Sequence, residues 1–496
     1  MRIDAYITEY ARKSPDSIAL EEGKTSISYS YLDKDINTIT LPLQDFKTSR
    51  FAILAESGMQ YVKMLMAVYR SDNIAIPLPI EFPRFSLERI LNSGHINHIV
   101  TTETQYSKFG EAFFERFKTV IVVSNDSSIN VIRKNPGSET TPEVNTPDLR
   151  LVLYTSGTTG TPKGVMLSDR NLLSNSESII KILNITPEDK GALVISPHHA
   201  FGNSIIDSHL MAGSSIRIGS MNFIDSAFSL IESGVTIFYG VPSTYLILLK
   251  YPDRFRKAFA GVRTAASAGG AMDKTTVANI RKLAPDINVL PMYGQTEATA
   301  RLAYLPVGDV DKYGDTIGKA IPGVTLDVFD SEARSLGPNI MGELVAKGDN
   351  ILLGYLDEPE ATNKRIVNGW LHTGDLAQKL PNGYIKLLGR QDDLLKIGDH
   401  RVNPRELEKQ IEENNKVYRV FVVPVAHELM GTAVSLMVIP TEETKVENLF
   451  AFCRKSLPGY LCPKEILFID HLPLSENGKI SNRSIIEEYK HVKAGM

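Results

Sequence analysis

Residues Tyr154 to Val165 read YTSGTTGTPKGV, a run of glycines and Thr/Ser hydroxyls closed by a lysine. Glycines let a backbone come close to a ligand, and successive N–H groups form an anion-binding concavity. Thr155, Ser156, Gly157, Thr158, Thr159 and Gly160 would form that cradle, with Lys163 adding a point charge. The chemistry that needs such a segment is polyphosphate binding. Its spacing differs from the common nucleotide P-loop, since no glycine directly precedes Lys163 and Gly164, not Ser or Thr, follows it. By composition alone, a flexible Gly-Thr surface loop fits equally well. The pair His198–His199 carries metal-ligand chemistry, but no further ligands cluster beside it in sequence. The chain lacks both G-x-G-x-x-G and G-x-S-x-G, which counts against a dinucleotide oxidoreductase and a serine hydrolase.

The elements that must position these residues follow from hydrophobic periodicity. Ile3, Tyr6, Ile7 and Tyr10 recur at helical spacing up to Pro15. Apolar runs at 51–55, 73–78, 98–100 and 119–123 read as strands, with a helix over 61–69 between the first two. Such alternation implies βαβ units and a parallel sheet. The polar stretch 124–148 reads as a surface loop. Strand patterns resume at 149–157, 192–196, 215–219, 235–242, 262–270 and 287–294. After Gly294 short strands and Gly-Pro turns take over, which predicts a β subdomain. From Gln391 helices and strands mix in a small α+β unit. The expected fold is therefore α/β: a large N-terminal domain with parallel α/β sheets and a β subdomain over 1–390, then a small α+β domain over 391–496.

The chain has 496 residues, 43% hydrophobic and 23% charged, with a formal net charge of −4. That near balance leaves no electrostatic footprint for nucleic acid or an anionic membrane surface. No apolar stretch approaches the ~20 residues of a membrane span. The N-terminal residues lack the apolar core of a secretion signal. Two cysteines, Cys453 and Cys462, fit a reducing compartment, and a cytoplasmic protein is expected.

The string at 154–165 resembles the phosphate-binding loop of the adenylate-forming superfamily, which includes acyl-CoA synthetases, luciferases and peptide-synthetase adenylation domains. Further motifs similar to that family follow in order: SAGGAM (267–272), MYGQTEA (292–298), GWLHTGDL (369–376), LGRQDDLLKIGDHRVNPRELE (388–408) and LPLSENGKI (472–480). The resemblance spans at least residues 10 to 483. It implies that Tyr293, with Gly294, stacks on adenine, that Thr296 meets the α-phosphate and that Glu297 holds Mg²⁺. Gly269, Gly270 and Ala271 are small enough to pack against a purine. Asp375 and Arg390 resemble the family's ribose contacts. Lys479 resembles the lysine that reaches across the domain interface to the reacting carboxylate. Asp392 occupies the hinge position, about which adenylating and thioester-forming arrangements alternate.

The implied activity is ATP-dependent: a small carboxylic acid becomes an acyl-adenylate, and a pantetheine thiol on CoA or an acyl carrier protein takes the acyl group. The segment SPHHAFGNS (196–204) is similar to the motif that gates the acyl pocket, with His199 in the aromatic or His position. Amino-acid-activating relatives carry an Asp after the aromatic residue, whereas Gly202 follows Phe201 here. A buried unpaired ammonium is costly, so a fatty or aryl acid is expected, with a lean to fatty. Asp399 stands where the family has a glycine beside the pantetheine channel. This raises the alternative of an adenylate-forming protein with impaired or altered thiol transfer; a non-catalytic binding protein derived from the family is a further alternative, but it should have lost Lys479 or Glu297, and both are present.

Overall fold

Helices Met59–Arg70 and Ala200–Ala212 have almost no exposed face. Ten of the 12 residues of the first and all 13 of the second are buried. Both lie in one core that draws on two large sheets. In the computed structural model the described residues are 2–80, 82–134, 148–155, 162–221, 223–390, 395–397, 400–414, 417–427, 431–475 and 480–495.

The first sheet has eight strands. Its parallel centre is Leu149–Thr155, Ile74–Pro77, Arg50–Leu54, His98–Thr102 and Thr119–Val123. Arg50–Leu54, His98–Thr102 and Thr119–Val123 are buried at every position, which accounts for their continuous apolar runs. Ile129–Lys134 pairs antiparallel on one edge. The expected loop over 124–148 is thus partly a strand. An edge strand with exposed Val131 and Ile132 carries no buried run to announce it. On the other edge, Lys163–Ser168 returns antiparallel to Leu149–Thr155, with Thr155 opposite Lys163. The two ends of the phosphate-loop string are therefore paired strands, with Tyr154 opposite Gly164.

The second sheet has nine strands. Asn288–Tyr293, Thr264–Ser267, Ile237–Gly240, Lys190–Leu193, Ser215–Ile218 and Ile18–Glu22 run parallel. The hairpin partner Thr25–Ser28 closes one edge and Ala303–Tyr304 with Lys319–Ala320 the other. A five-stranded antiparallel sheet follows, built on Val324–Phe329, Met341–Gly348, Trp370–Lys379 and Ile385–Arg390, with Ile366–Val367 at its side. This is the predicted β subdomain.

The C-terminal part has its own core, where Ile397, Leu407, Ile411, Val420, Leu436 and Leu449 pack together. Its long hairpin Val417–His427 and Gly431–Pro440 takes Ile466–Phe468 as a parallel third strand. Arg419 of this hairpin reaches the large domain, with Nη2 2.9 Å from Asp273 Oδ2. Among the described residues no helix is long and apolar enough to cross a membrane.

Candidate active site

Parallel strands leave their ligand crevice at the carboxyl ends. Here Gly240, Ser267 and Tyr293 end three adjacent strands. Beyond Tyr293 the chain doubles back through a tight turn, and Leu302 N–H donates to the Tyr293 carbonyl at 2.8 Å. Thr299 and Ala300 sit at positive φ, 57° and 110°, a conformation costly for residues with a Cβ. Two buried amides pin the turn. Asn175 Nδ2 and Asn350 Nδ2 each donate to the carbonyls of Ala298 and Arg301. Gly294 answers to the same turn, because a Cβ there would lie 1.7 Å from the Ala300 carbonyl oxygen. Its lack of a side chain is explained by packing before any ligand is invoked.

This turn presents Glu297. The Tyr355 hydroxyl donates to Glu297 Oε1 at 2.8 Å, and Arg365 Nη2 lies 3.8 Å from the same oxygen while donating to Gln295 Oε1 at 2.9 Å. Tyr355 comes from a two-residue strand paired with Lys163–Ser168. Lys163 Nζ stands 5.1 Å from the centre of the Tyr355 ring and 4.0 Å from Glu358 Oε2. One tyrosine thus joins the lysine of the phosphate-loop string to the carboxylate of MYGQTE. Burial, and then the Glu297 carboxylate, push the Tyr355 phenol well above its ordinary range, so it stays a donor. Thr296 begins the same short helical turn.

Asp375 forms the other wall. The Tyr293 hydroxyl donates to its Oδ2, and Arg390 Nε lies 3.7 Å from its Oδ1. Asp375 and Arg390 are directly opposite in the antiparallel pair, which fixes their separation. Gly374, at φ 73°, leaves room for two arginines: a Cβ there would lie 3.2 Å from Arg365 Nη1 and 3.4 Å from Arg390 Nη2. Burial, followed by the Asp375 carboxylate, holds the Tyr293 phenol far above its normal pKa. Gly269, Gly270 and Ala271 are exposed at the end of the neighbouring strand, with Gly269 at φ 84°. A Cβ on Gly270 would already touch the Pro242 ring at 3.3 Å.

The two histidines separate in role. His198 is buried, hydrogen-bonded to Ser196 Oγ and the Ala55 carbonyl, and packed edge-on against Tyr61. Burial, then the neighbouring His199, lower its pKa to about 3, so it is neutral. His199 is half-buried at the N-terminus of helix Ala200–Ala212. Among the described residues no group of His, Cys, Asp or Glu is arranged to hold a metal by itself. Gly202 is demanded by close packing, since a Cβ would lie 2.3 Å from the Ser196 carbonyl oxygen. An Asp at this position, as in amino-acid-activating relatives, would not fit this backbone.

Of the phosphate-loop string, Thr155 and Lys163 are among the described residues; Ser156, Gly157, Thr158, Thr159 and Gly160 lie outside them, as do Asp392, Asp399 and Lys479. Sequence reasoning missed Tyr355, Arg365 and Arg301. Tyr355 and Arg365 come from a connection with no motif of its own. Arg301 stands four residues beyond Glu297, where its type alone marks a place for an anion.

A long-chain-fatty-acid–CoA ligase of Salmonella typhimurium is 30% identical over 355 residues, which is 70% of this chain and 63% of that protein's length. An oxalate–CoA ligase of Arabidopsis thaliana is 26% identical over 508 residues, covering 98% of each chain. The ATP-bound crystal structure of MatB from Rhodopseudomonas palustris superposes with a TM-score of 0.85 over 99% of this chain and 100% of that one, at 24% identity, and shows the shared fold. The profile of the AMP-binding enzyme C-terminal domain matches residues 406–479, and that of the AMP-binding enzyme matches residues 7–356. The chain belongs to the AMP-binding enzyme family.

Proposed function

We propose that this protein activates a small carboxylic acid with ATP and passes the acyl group to a pantetheine thiol. The observation that carries the reading is the junction at Tyr355, which links Lys163 to Glu297 with Arg365 alongside. Cations gathered around one hard carboxylate suit a polyphosphate and its counter-ion. Glu297 Oε1 is occupied by Tyr355, and Oε2 has no hydrogen bond among the described residues. That fits Mg²⁺, which is typically held by one or two carboxylates together with substrate phosphates. When bound, Mg²⁺ would neutralise charge on the phosphates.

The chain's own residues do the rest. Lys163 and Arg365 face the phosphates, Thr296 meets the α-phosphate, and the ring of Tyr293 offers the adenine a stacking face. Asp375, fixed by Tyr293 and Arg390, accepts from the ribose hydroxyls. The substrate carboxylate attacks the α-phosphorus, pyrophosphate leaves, and Lys479 stabilises the developing negative charge. A thiolate then attacks the acyl carbonyl and AMP departs. We place the boundary between a nucleotide- and acyl-binding domain and a mobile domain at 390/391, with Asp392 as the pivot. His199 guards the acyl pocket and Asp399 the pantetheine channel. CoA is the simplest acceptor, and an acyl carrier protein is the other. Both described cysteines are free, which suits a cytoplasmic setting.

The test is pyrophosphate release over a panel of carboxylic acids with ATP and Mg²⁺. Release that depends on an acid, and falls roughly 10²–10³-fold in Lys479→Ala, is expected. Acid-independent turnover, or an unimpaired variant, would count against this reading.

A further inference from the structure

Arg301 is the largest fully buried side chain among the described residues, with 1% of its surface exposed. A buried guanidinium is normally matched by a carboxylate, because an unpaired charge in the interior is expensive. Arg301 has no such match among the described residues. Its Nε points at Met292 Sδ at 3.4 Å, and its guanidinium lies 4.2 Å from the centre of the Phe201 ring. Neither neighbour is an anion, and neither Nη group donates a hydrogen bond to a described residue. Arg50 Nη2 is sealed from solvent without a partner; the Nη groups of Arg301 are not among such sealed atoms. Burial brings the Arg301 pKa down to about 10, which still leaves it charged at neutral pH.

The surroundings offer no hidden counter-charge. Tyr239 is a phenol kept protonated by burial, and its hydroxyl is hydrogen-bonded to His209 Nε2 at 2.9 Å. Asp207, the acid of helix Ala200–Ala212, is bonded to Asn203 Nδ2 at 2.7 Å, and burial raises its pKa far above the carboxylate range. The fold also strains itself to place Arg301. The positive-φ pair Thr299–Ala300 turns the chain inward, and Asn175 and Asn350 hold the Arg301 carbonyl at 2.9 Å each. Strain maintained this way marks a functional position. Phe201 and Met292 place the group beside the SPHHAFGNS segment and one residue before Tyr293, whereas none of the contacts of Glu297, Tyr355 or Asp375 includes it.

We propose that Arg301 receives a second carboxylate of the substrate, so that the acid activated here is a dicarboxylic acid and not a fatty or simple aryl monoacid. This rests on the acid-activating reading above and names its substrate class. Phe201 and Met292 pack the carbon skeleton between the two carboxylates, and only the one distant from Arg301 reaches the α-phosphate.

The experiment compares kcat/KM for pyrophosphate release in matched pairs: malonate with propanoate, succinate with butanoate, glutarate with pentanoate, and terephthalate with benzoate. Octanoate represents the fatty acids. At least one dicarboxylate should exceed its monoacid partner by roughly 10²-fold or more, the scale on which a site built for a polar group rejects its absence. Arg301→Met should abolish that preference while leaving the KM for ATP unchanged, and Arg301→Lys should restore part of it. Monoacids used as well as diacids by the unaltered enzyme would overturn the proposal, even if both variants fail to fold. Equal losses with every acid, together with a raised KM for ATP, would overturn it by making Arg301 a phosphate ligand. Turnover of no acid at all would instead defeat the acid-activating reading.

Discussion

Tyr355 donates its hydroxyl to Glu297 at 2.8 Å while its ring lies beneath the ammonium of Lys163, 5.1 Å away. Three segments far apart in sequence meet on this side chain. Removing the hydroxyl separates the two contacts. Tyr355→Phe keeps the ring under Lys163 but frees Glu297, which then has only Arg365 nearby. A hydrogen bond to a charged group contributes ~1.5–3 kcal/mol, so kcat/KM for adenylation should fall roughly 10- to 100-fold. The Mg²⁺ concentration needed for half-maximal rate should rise with it. A Mg²⁺ titration of both proteins checks this, and identical curves would show that the hydroxyl does not orient Glu297.

Asp375 should govern nucleotide binding and leave the acid unaffected. Asp375→Asn keeps the size and loses the charge facing Arg390. The expected result is a rise in the KM for ATP of about tenfold, from one weakened charge-assisted hydrogen bond, with little change in the KM for the acid. Steady-state kinetics with each substrate varied in turn will separate the two.

The acid limb of stability should report Asp189. Burial alone would raise its pKa, but the Arg263 guanidinium, the Thr186 N–H and the Thr236 hydroxyl outweigh burial and hold it at about 2. A pKa depressed in the folded state contributes stability above the ordinary value of 3.8 and loses it as pH falls towards 2. The contribution at neutral pH is about 2 kcal/mol. Asp189→Asn should therefore lower stability by about that amount at pH 7 and flatten the decline below pH 4. Urea unfolding at a series of pH values measures both.

The second half-reaction should depend on two residues of the C-terminal segment. Asp392→Pro fixes φ at the proposed pivot, so adenylate formation should survive and thioester formation collapse. Asp399→Gly should raise transfer to CoA if Asp399 borders the channel as proposed, since a carboxylate there would repel the CoA phosphates by ~1 kcal/mol when solvated. Thioester yield from preformed acyl-adenylate, with CoA and with a carrier protein, reads both effects. Fast transfer to CoA that is unaltered by Asp399→Gly would show that Asp399 faces away from the channel.

The elements legible in the sequence were those with buried runs or contiguous motifs. Every strand of the parallel centres except Ile18–Glu22 produced an apolar stretch, and Tyr293, Glu297 and Asp375, proposed to face the nucleotide, stood in recognisable strings. The edge strand Ile129–Lys134 did not, because half of it meets solvent. Lys163–Ser168 was hidden by its own motif, which drew attention to the loop and away from the strand leaving it. Tyr355 and Arg365 were illegible for a different reason. Their role comes from the pairing of Gly354–Tyr355 with Lys163–Ser168, a contact between residues nearly two hundred positions apart that no local pattern encodes. Gly202 and Gly294 show the converse. Both lie in motifs, yet neighbouring carbonyls, Ser196 and Ala300, account for their lack of a side chain.

In the proposed reaction an oxygen of the substrate carboxylate attacks the α-phosphorus of ATP. Acid labelled with ¹⁸O in its carboxylate tests this directly. After one full cycle with CoA, the label should appear in the phosphate of AMP, and pyrophosphate should carry none. Label in orthophosphate, with ADP as the other product, would mean attack at the γ-phosphorus and would exclude an acyl-adenylate.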